Sequence, residues 1–438
     1  MRKILVVTLA VVLSFVGSFF MAKDAQAVPA FARQTGHACT TCHFNTFPSL
    51  NSFGRAFKSG GYTQIGDQGK IEDEGLSIPN VLNASIVSKL RYQQAGGTGT
   101  VGGVDYSKFG TGKGELQFPD ELAILFGGRV GEHIGYLVEW GADMGGASYK
   151  MPIGFDLGGT NLEIVPFLTD SLGASFGLEL LNTGAVRNLR PWEARSAMSA
   201  QQYIGTATAA EGFALAISND MFFVNASLWG PARGMVDTGF SLSQYLRAAV
   251  TPNVGGWDIG VGIQYWGGET TVGDKDAGLS TADLDGNGTT AGGTGPYTTN
   301  ATAFDVQAQG EAGGMPLGVY ISYATAPKQS TSDATAGKTN LFNTSTANDM
   351  SATAIAAELG VVPNKATVGA GYRIGQRNSS SNRDDNAMLL GGKYLLAQNV
   401  QVHLNYEMFS GNYYTANSDA VAKTSGNSLL TLMLFSAF

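Results

Sequence analysis

The amino-acid sequence predicts a mainly β protein, a transmembrane antiparallel β-barrel of about sixteen strands preceded by a small α-helical segment. Three observations predict this fold. Apolar and polar residues alternate with period two over stretches of about ten residues, the length of a tilted strand that crosses a bilayer. Short links between these stretches alternate with long polar ones, as in bacterial outer-membrane barrels. The chain also ends on an alternating apolar stretch with a terminal aromatic residue, Phe438.

Residues 1–27 have the features of a secretory signal peptide. Arg2 and Lys3 precede an apolar run, and an Ala-x-Ala cleavage motif ends at Ala27. We therefore expect export and a mature chain that begins at Val28, with an uncleaved anchor as the alternative. No later stretch reaches the roughly 18 continuous apolar residues of a spanning helix. Any further membrane residence therefore has to depend on strands.

Behind the leader, residues Cys39 to His43 have the pattern Cys-x-x-Cys-His, the attachment motif of a c-type haem. Two thiols add to the two vinyl groups of one porphyrin, and two intervening residues bring both sulfurs to one side of a helical turn. The adjacent His43 is then carried under the ring, where its imidazole can ligate the iron. The motif predicts one covalent haem c on Cys39 and Cys42, with His43 as an axial ligand.

A structural disulfide, a thioredoxin-like redox pair and half of a zinc site are the alternatives for this cysteine pair. A zinc site needs two more ligands at close spacing, and the chain has only two cysteines. A redox pair needs a βαβ context, which the following sequence lacks. The sixth ligand of the haem iron stays open. A water molecule could fill this position, and the candidate side chains are His37, Lys58, His133 and His403.

Residues 28–79 form the predicted haem-bearing, cytochrome c-like segment. Pro48 suits the first turn of a helix, and Gly60 ends the pattern. The apolar stripe of this helix consists of Leu50, Phe53 and Phe57. Such a stripe would shield a porphyrin from water, although an ordinary amphipathic helix has the same pattern. Arg55 and Lys58 lie on the opposite face, where they could pair with haem propionates or be solvated.

Residues 80–438 have the pattern of the barrel. Alternation is clearest in Leu82–Tyr92, Trp257–Tyr265, Phe304–Gln309 and Val400–Met408. Tight links are expected at residues 131–132, 219–220, 312–315, 362–364 and 397–399. Long polar links are expected at residues 93–114, 182–209, 267–300 and 326–349. A soluble sandwich would show the same alternation, so the asymmetry of the links decides for a lipid-facing barrel with both chain ends in the periplasm.

A barrel of this strand number has a lumen wide enough for water or for a folded segment. The charged and titratable side chains expected to face this lumen are Lys89, Arg91, Glu139, Glu179, Asp258, Asp305, Glu311, Glu358, Arg373, His403 and Glu407. We expect most of them to provide lumen solvation and cross-strand pairing.

One predicted external loop has part of a cation-binding pattern. Asp283, Asp285 and Asn287 have the spacing of the first half of a calcium loop. The twelfth position, where a bidentate Glu belongs, is Thr294. The loop is therefore either a weak cation site or a flexible acidic turn.

The composition agrees with an exported barrel. The chain carries a formal net charge of −8, which disfavours nucleic acid as a partner and favours cations. Charged residues make up only 14% of the chain, and there are 60 glycines. This balance suits many short strands that are joined by glycine-rich turns.

A compact set of N-terminal residues also carries a family resemblance. The set consists of Ala30 to Gly36, Cys39 to His43, Pro48, Leu50, Phe53 to Arg55, Phe57, Lys58, Gly61 and Tyr62. In these positions the chain resembles the fused cytochrome–porin family of outer-membrane iron oxidases, and over the barrel it shares only the architecture. The resemblance implies a monohaem cytochrome at the base of the pore or within it. It also implies oxidation of extracellular Fe(II) and electron transfer to a periplasmic c-type cytochrome or other carrier.

The leading hypothesis is therefore an iron:cytochrome c oxidoreductase held by the lipid of the outer membrane. It would move an electron inward and leave poorly soluble Fe(III) outside. One haem has a short reach, so we expect its segment to sit inside the lumen. The alternatives are a solute porin with a haem-bearing plug, an electron conduit for a donor other than Fe(II), and a secreted soluble haem protein.

Overall fold

The computed structural model describes most of the chain from Ala30 to Phe438. The residues outside the description are 1–29, 96–99, 102–103, 106–113, 142–146, 185–191, 195–198, 232–241, 272–295, 398 and 416–427. The predicted signal peptide and the predicted cation loop, with Asp283, Asp285 and Asn287, lie outside the described residues.

Three short helices begin the described chain: α1 (Ala30–Thr35), α2 (Cys39–Cys42) and α3 (Ser52–Ser59). The prediction that the last helix includes Pro48 is wrong. Asn51 is its N-cap, because the Asn51 side chain accepts a hydrogen bond from the Gly54 N–H at 3.0 Å. The predicted end is confirmed, with Gly60 as the C-cap. A small two-stranded hairpin follows, made of β1 (Lys70–Asp73) and β2 (Leu76–Pro79).

The rest of the chain forms one closed antiparallel barrel. Its first half consists of β3 (Ala84–Ala95), β6 (Gly114–Arg129), β7 (Gly135–Gly141), β8 (Ala147–Lys150), β9 (Ile153–Asp156), β10 (Asn161–Thr169), β11 (Ala210–Ser218), β12 (Phe222–Gly230), β13 (Ser243–Val250) and β14 (Asn253–Val254). Its second half consists of β15 (Trp257–Gly267), β18 (Ala301–Ala312), β19 (Met315–Ala326), β21 (Met350–Val362), β22 (Ala366–Gln376), β23 (Asp384–Ala397), β24 (Val400–Ser410) and β25 (Ser428–Ala437).

The barrel wall has sixteen strand positions, as the sequence predicts. β8 and β9 are two halves of one position, since both pair with β10, and β13 and β14 likewise both pair with β15. The last strand, β25, pairs with the first, β3, over nine residue pairs and closes the ring. Closure matters in lipid because an open strand edge would leave backbone groups without hydrogen-bond partners.

Smaller elements lie in the links and are not strands of the barrel wall. They are β4 (Thr100–Val101), β5 (Val104–Asp105), a 3₁₀ turn (Ala174–Phe176), α4 (Ala200–Tyr203), β16 (Glu269–Thr271), β17 (Pro296–Thr298), α5 (Thr331–Thr335), β20 (Thr339–Asn340) and α6 (Asn412–Thr415).

The links alternate between short and long, which confirms the predicted asymmetry. The short links are residues 130–134, 157–160, 219–221, 255–256, 313–314 and 363–365, with Asn399 in a seventh between β23 and β24, all at one end of the barrel. The long link between β10 and β11 is described at residues 170–184, 192–194 and 199–209, and these described parts are called the inner loop below. The prediction that this link begins at Asn182 is wrong, because the strand before it already ends at Thr169. Glu179, predicted on a strand, therefore lies in the inner loop.

The barrel wall is apolar outside and polar inside. Its outward-facing exposed side chains include Phe213, Leu228, Leu246, Val261, Ile263, Phe304, Ile321, Ile355, Ile374, Leu390, Leu404 and Leu432. The inward-facing neighbours that are almost fully buried include Arg91, Asn225, Arg247, Gln264, Gln307, Glu358, Arg373, Asn405 and Thr431. This arrangement is the reverse of a soluble sandwich and fits a wall that faces hydrocarbon.

Among the described residues, no helix has both the length and the apolar character needed to cross a membrane.

A charge on the outer wall tests whether that wall faces lipid. Ile263 lies in the middle of β15 with its side chain exposed outward. We expect Ile263→Arg to destabilise the barrel in phospholipid vesicles, lowering its free energy of unfolding by about 2–4 kcal/mol. Leu157→Arg, in the exposed short link 157–160, is the matched control and should change it by less than about 0.5 kcal/mol. Urea titration of both variants measures the difference, and equal effects would contradict a lipid-facing wall.

Candidate haem-binding site in the barrel lumen

The N-terminal segment, defined as residues 30–66, lies inside the barrel at the end with the short links. The first contact that fixes it is an ion pair between α3 and the wall. Arg55 Nη2 lies 2.7 Å and 2.8 Å from the two carboxylate oxygens of Asp258 on β15, and both side chains are largely buried. The expectation that Arg55 faces solvent is therefore wrong, because the lumen wall supplies a carboxylate for it. Its pairing with a haem propionate stays a prediction.

Further contacts place the middle of the segment deeper in the lumen. The ring of Phe47 stacks on inward-facing Phe435 of β25, with 5.1 Å between the centroids. Leu50 exchanges two backbone hydrogen bonds with the side chain of Asn182 in the inner loop, at 2.8 Å and 2.9 Å. Near the start of the segment, the Arg129 N–H donates to the Gln34 side chain at 2.9 Å. The segment thus contacts both the wall and the inner loop.

The cysteine pair lies on a single helical turn. Cys39 and Cys42 begin and end the single turn of α2, both are half-buried, and neither is in a disulfide. His43 caps this turn, with its N–H donating to the Cys39 carbonyl at 2.9 Å. Gly54 of α3 packs against the Cys42 carbonyl so closely that any side chain there would collide with it. The two helices are therefore held together at the motif itself.

The ring of His43 is oriented by the chain that follows it. Its Nδ1 lies 3.3 Å from the Ser49 carbonyl oxygen, and Phe47 contacts the ring edge-on at 5.2 Å. A histidine that donates from Nδ1 to a carbonyl presents Nε2 to a metal, which is the common arrangement of metal-ligating histidines. This geometry fits the predicted role of His43 as a haem-iron ligand.

A pocket of about 530 Å³ opens beside this histidine at the short-link end. Its lining from the segment includes Thr40, His43, Phe44, Asn45 and Asn51, and its lining from the wall includes Trp257, Glu311 and Pro316. The volume is in the range of small-molecule and cofactor sites. Thr40 and His43 of the motif line this pocket, and Cys39 and Cys42 flank them in the chain without lining it. The residues present are compatible with a haem c attached to both thiols.

The alternatives to haem gain no support from the surroundings of the cysteines. Among the described residues, no group of three or more His, Cys, Asp or Glu side chains could hold a metal ion. Burial raises the pKa of the Cys39 thiol. Burial, followed by repulsion from Cys39, raises the pKa of the Cys42 thiol as well. A raised pKa disfavours the thiolate, which is the reactive form in thiol exchange.

The candidates for the sixth iron ligand lie in different places. His37 is half-buried next to the motif, where its ring contacts Phe53 at 5.3 Å. His133 is exposed in the short link 130–134. His403 is buried on β24, and its Nε2 lies 3.1 Å from the Gln401 side chain. Lys58 is half-buried on α3. No cluster joins them, so the sixth ligand stays open.

The inner loop occupies a second part of the lumen, whereas the sequence predicts an external loop there. Trp192, Tyr203 and Ile204 of the loop are buried in one apolar cluster with inward-facing side chains of the wall. Bulky apolar residues in a stretch taken for an external polar loop are the signal that could have revealed it. Trp192 fits against the wall only because Gly391 is there, since a Cβ at that position would lie 2.6 Å from the indole.

Ion pairs hold the inner loop to the wall. Arg247 on β13 lies 2.5 Å from Asp305 on β18 and 3.0 Å from Glu179 of the loop. Lys89 on β3 lies 2.8 Å from Glu193 of the loop. Burial alone would raise the pKa of Glu193, but the neighbouring Lys89 ammonium outweighs it and lowers this pKa to about 2. Most of the predicted inward charges thus serve pairing, as expected.

No known protein family and no curated protein sequence matches the chain. Among solved structures, similar chains include OmpT, an outer membrane protein of Vibrio cholerae (TM-score 0.45, 12% identity, 84% of this chain and 99% of that chain). A mutant porin of Rh. blastica has a TM-score of 0.46 and 13% identity, covering 82% of this chain and 100% of its own. The outer membrane channel DcaP of Acinetobacter baumannii has a TM-score of 0.45 and 9% identity, covering 84% of this chain and 99% of its own. Similarities of this size define neither the function nor the partners of this chain, and the resemblance to the cytochrome–porin family stays a prediction.

Removing the buried ion pair should loosen the N-terminal segment. Arg55→Ala leaves the Asp258 carboxylate buried without a partner, at a cost of about 3–5 kcal/mol. We expect limited proteolysis in detergent to cut within residues 30–66 while the barrel stays intact. Lys70→Ala, which removes the exposed pair with Glu72, is the control and should not change the cleavage pattern. Equal resistance of both variants would show that Arg55 does not hold the segment.

The raised pKa of the two thiols predicts a pH dependence in protein made without haem attachment. Since a raised pKa shifts thiolate formation to higher pH, alkylation of Cys39 and Cys42 by iodoacetamide should still accelerate above about pH 8.5, the pKa of an ordinary thiol. In the urea-unfolded chain, the rate of alkylation should level off just above that pH. Stopped alkylation followed by mass spectrometry measures both rates, and identical profiles would contradict buried thiols.

Proposed function

We propose that this protein is a c-type cytochrome of the bacterial outer membrane that conducts electrons from an extracellular donor to a periplasmic carrier. The apolar outer wall, the predicted signal peptide and the terminal aromatic strand support the location. The Cys-x-x-Cys-His turn beside a pocket of about 530 Å³ supports the cofactor. In this proposal the N-terminal segment is a redox centre that is built into the lumen.

The observation that carries the proposal is the packed lumen. The inward-facing side chains of Arg247, Glu358 and Arg373 are 0% exposed, although they lie on three different strands of the wall. In a water-filled pore such charged side chains would be solvated. A lumen that is filled by the segment and the inner loop hinders solute passage, but it does not hinder electron transfer.

The chain's own residues have distinct roles in this proposal. Cys39 and Cys42 would anchor the porphyrin, and His43, oriented by the Ser49 carbonyl, would ligate its iron. The haem supplies one-electron chemistry when it is bound. Arg55 and its partner Asp258 fix the segment at the short-link end, which is the periplasmic end of an outer-membrane barrel. The pocket opens at that end, where a periplasmic carrier could approach.

Fe(II) as the donor rests on the family resemblance rather than on the geometry. Oxidation at the outer surface has a chemical advantage, because Fe(III) precipitates at neutral pH and only an electron would then enter the cell. The activity proposed is therefore that of an iron:cytochrome c oxidoreductase. Reduced humic compounds, an electrode or another cytochrome would serve as donors in the more general form of the proposal.

A solute porin with a haem-bearing plug is the second candidate. The closed sixteen-strand barrel favours it, because the same wall surrounds solute channels. Under this hypothesis the N-terminal segment would have to move aside, and the contacts at Asp258 and Phe435 would have to break.

Anaerobic mixing separates the two candidates. We expect the purified, detergent-solubilised protein to show a reduced haem α-band after Fe(II) is added, and the same protein in liposomes to exclude small sugars in swelling assays. His43→Ala should keep the covalent porphyrin but change the spectrum, because it loses a strong axial ligand. Swelling with sugars would favour the porin. A colourless protein would falsify the proposed cofactor.

A further inference from the structure

A buried carboxyl group lies in the lumen near the candidate haem pocket without an assigned role. Glu358 of β21 is 0% exposed. One of its oxygens accepts a hydrogen bond from the Tyr320 hydroxyl of β19 at 2.6 Å. Its other oxygen, Oε2, has no hydrogen-bond partner among the described residues. Leaving such an oxygen unsatisfied is costly when it is ionised, and protonation removes much of this cost.

The groups around Glu358 come from several elements. Lys393 on β23 is the opposite charge that acts on it, and the Lys393 ammonium is itself buried without a hydrogen-bond partner in the described part of the chain. That ammonium lies 5.6 Å over the Trp192 ring of the inner loop. Glu193 of the loop and His403 of β24 interact in turn with Lys393. The titratable and charged groups facing the site are thus Tyr320, Lys393, Glu193 and His403.

Asn45 connects this site to the pocket at His43. Asn45 lies two residues after His43 and lines the same pocket of about 530 Å³. Its side chain packs against Gly360, two residues along β21 from Glu358, and it is among the side chains that interact with the Glu358 carboxyl. The Asn45 amide is buried. Asn45 is therefore the side chain through which the pocket and the Glu358 carboxyl are in contact.

We propose that Glu358 takes up a proton when the haem is reduced and releases it when the haem is oxidised. This inference rests on the proposed function. One electron from the donor would enter the haem, and one proton from the periplasmic side would bind the Glu358 carboxylate. The proton offsets the added negative charge in a lumen of low dielectric constant, where an uncompensated charge is costly. Electron transfer through this barrel is thereby coupled to pH.

A second carboxyl group in the same region provides a matched control. Glu311 lines the pocket, but it is exposed at the end of β18. Water screens the charge of an exposed carboxylate, so Glu311 acts only weakly on a buried charge. Removing it should shift the haem potential by a constant amount at every pH. Removing Glu358 should instead change how the potential depends on pH.

The test is a spectroelectrochemical titration of the purified full-length protein in detergent between about pH 5 and pH 9, on either side of neutrality. We expect the haem potential of the wild type to fall as the pH rises. The slope should approach about 59 mV per pH unit, the value for one proton taken up per electron. Glu358→Gln should flatten this slope. Glu311→Gln should keep the wild-type slope with an offset.

A second variant covers the case in which Glu358→Gln does not fold. Tyr320→Phe removes the hydroxyl that stabilises the ionised carboxylate, so the sloping region should move to higher pH. Three results would each overturn the inference in a protein that is still coloured and reducible. They are an unchanged slope of the haem potential against pH in Glu358→Gln, a sloping region at the wild-type pH in Tyr320→Phe, and a wild-type potential that does not depend on pH. A colourless protein would instead overturn the proposed function, and this inference with it.

Discussion

The closure of the strand ring is the constraint on which the rest of this structure depends. Hydrocarbon offers no partner to a backbone N–H or C=O, so every strand of the wall has to pair with two neighbours. β25 pairs with β3 to complete this requirement. With the outer face then required to be apolar, polar and charged residues can only point inward. The lumen thereby becomes the place where charges such as Arg247 and Glu358 have to find partners.

The N-terminal segment and the inner loop supply partners for the inward-facing charges of the wall. The N-terminal segment supplies Arg55 to Asp258, and the inner loop supplies Glu179 to Arg247 and Glu193 to Lys89. Each pair is buried, so the loss of one partner is more costly than it would be on a surface. The same contacts that satisfy the wall therefore fix the segment in one position. A redox centre in that position would have a constant orientation relative to the periplasmic end of the barrel.

The packing of the lumen also relates the two candidate functions. A barrel of this strand number is wide enough for solutes, and here that width is occupied by the two folded segments. Apolar side chains such as Trp192 and Phe47 pack within the occupied volume. An apolar surrounding strengthens electrostatic interactions, so a charge that enters the lumen would have a large effect on nearby carboxyl groups. Proton uptake at Glu358 would be the consequence of putting an electron into such an environment.

The sequence by itself determined the class of fold and the candidate attachment motif. Period-two alternation and the asymmetry of the links are local properties, and they were sufficient to predict sixteen strands, five of the seven short links and the inward position of Asp258. The spacing of Cys39, Cys42 and His43 is equally local. Only the tertiary structure decided that Arg55 pairs with Asp258, that α3 begins after Asn51 and that the inner loop fills the lumen. These features depend on contacts between residues far apart in the chain, about which periodicity and spacing carry no information.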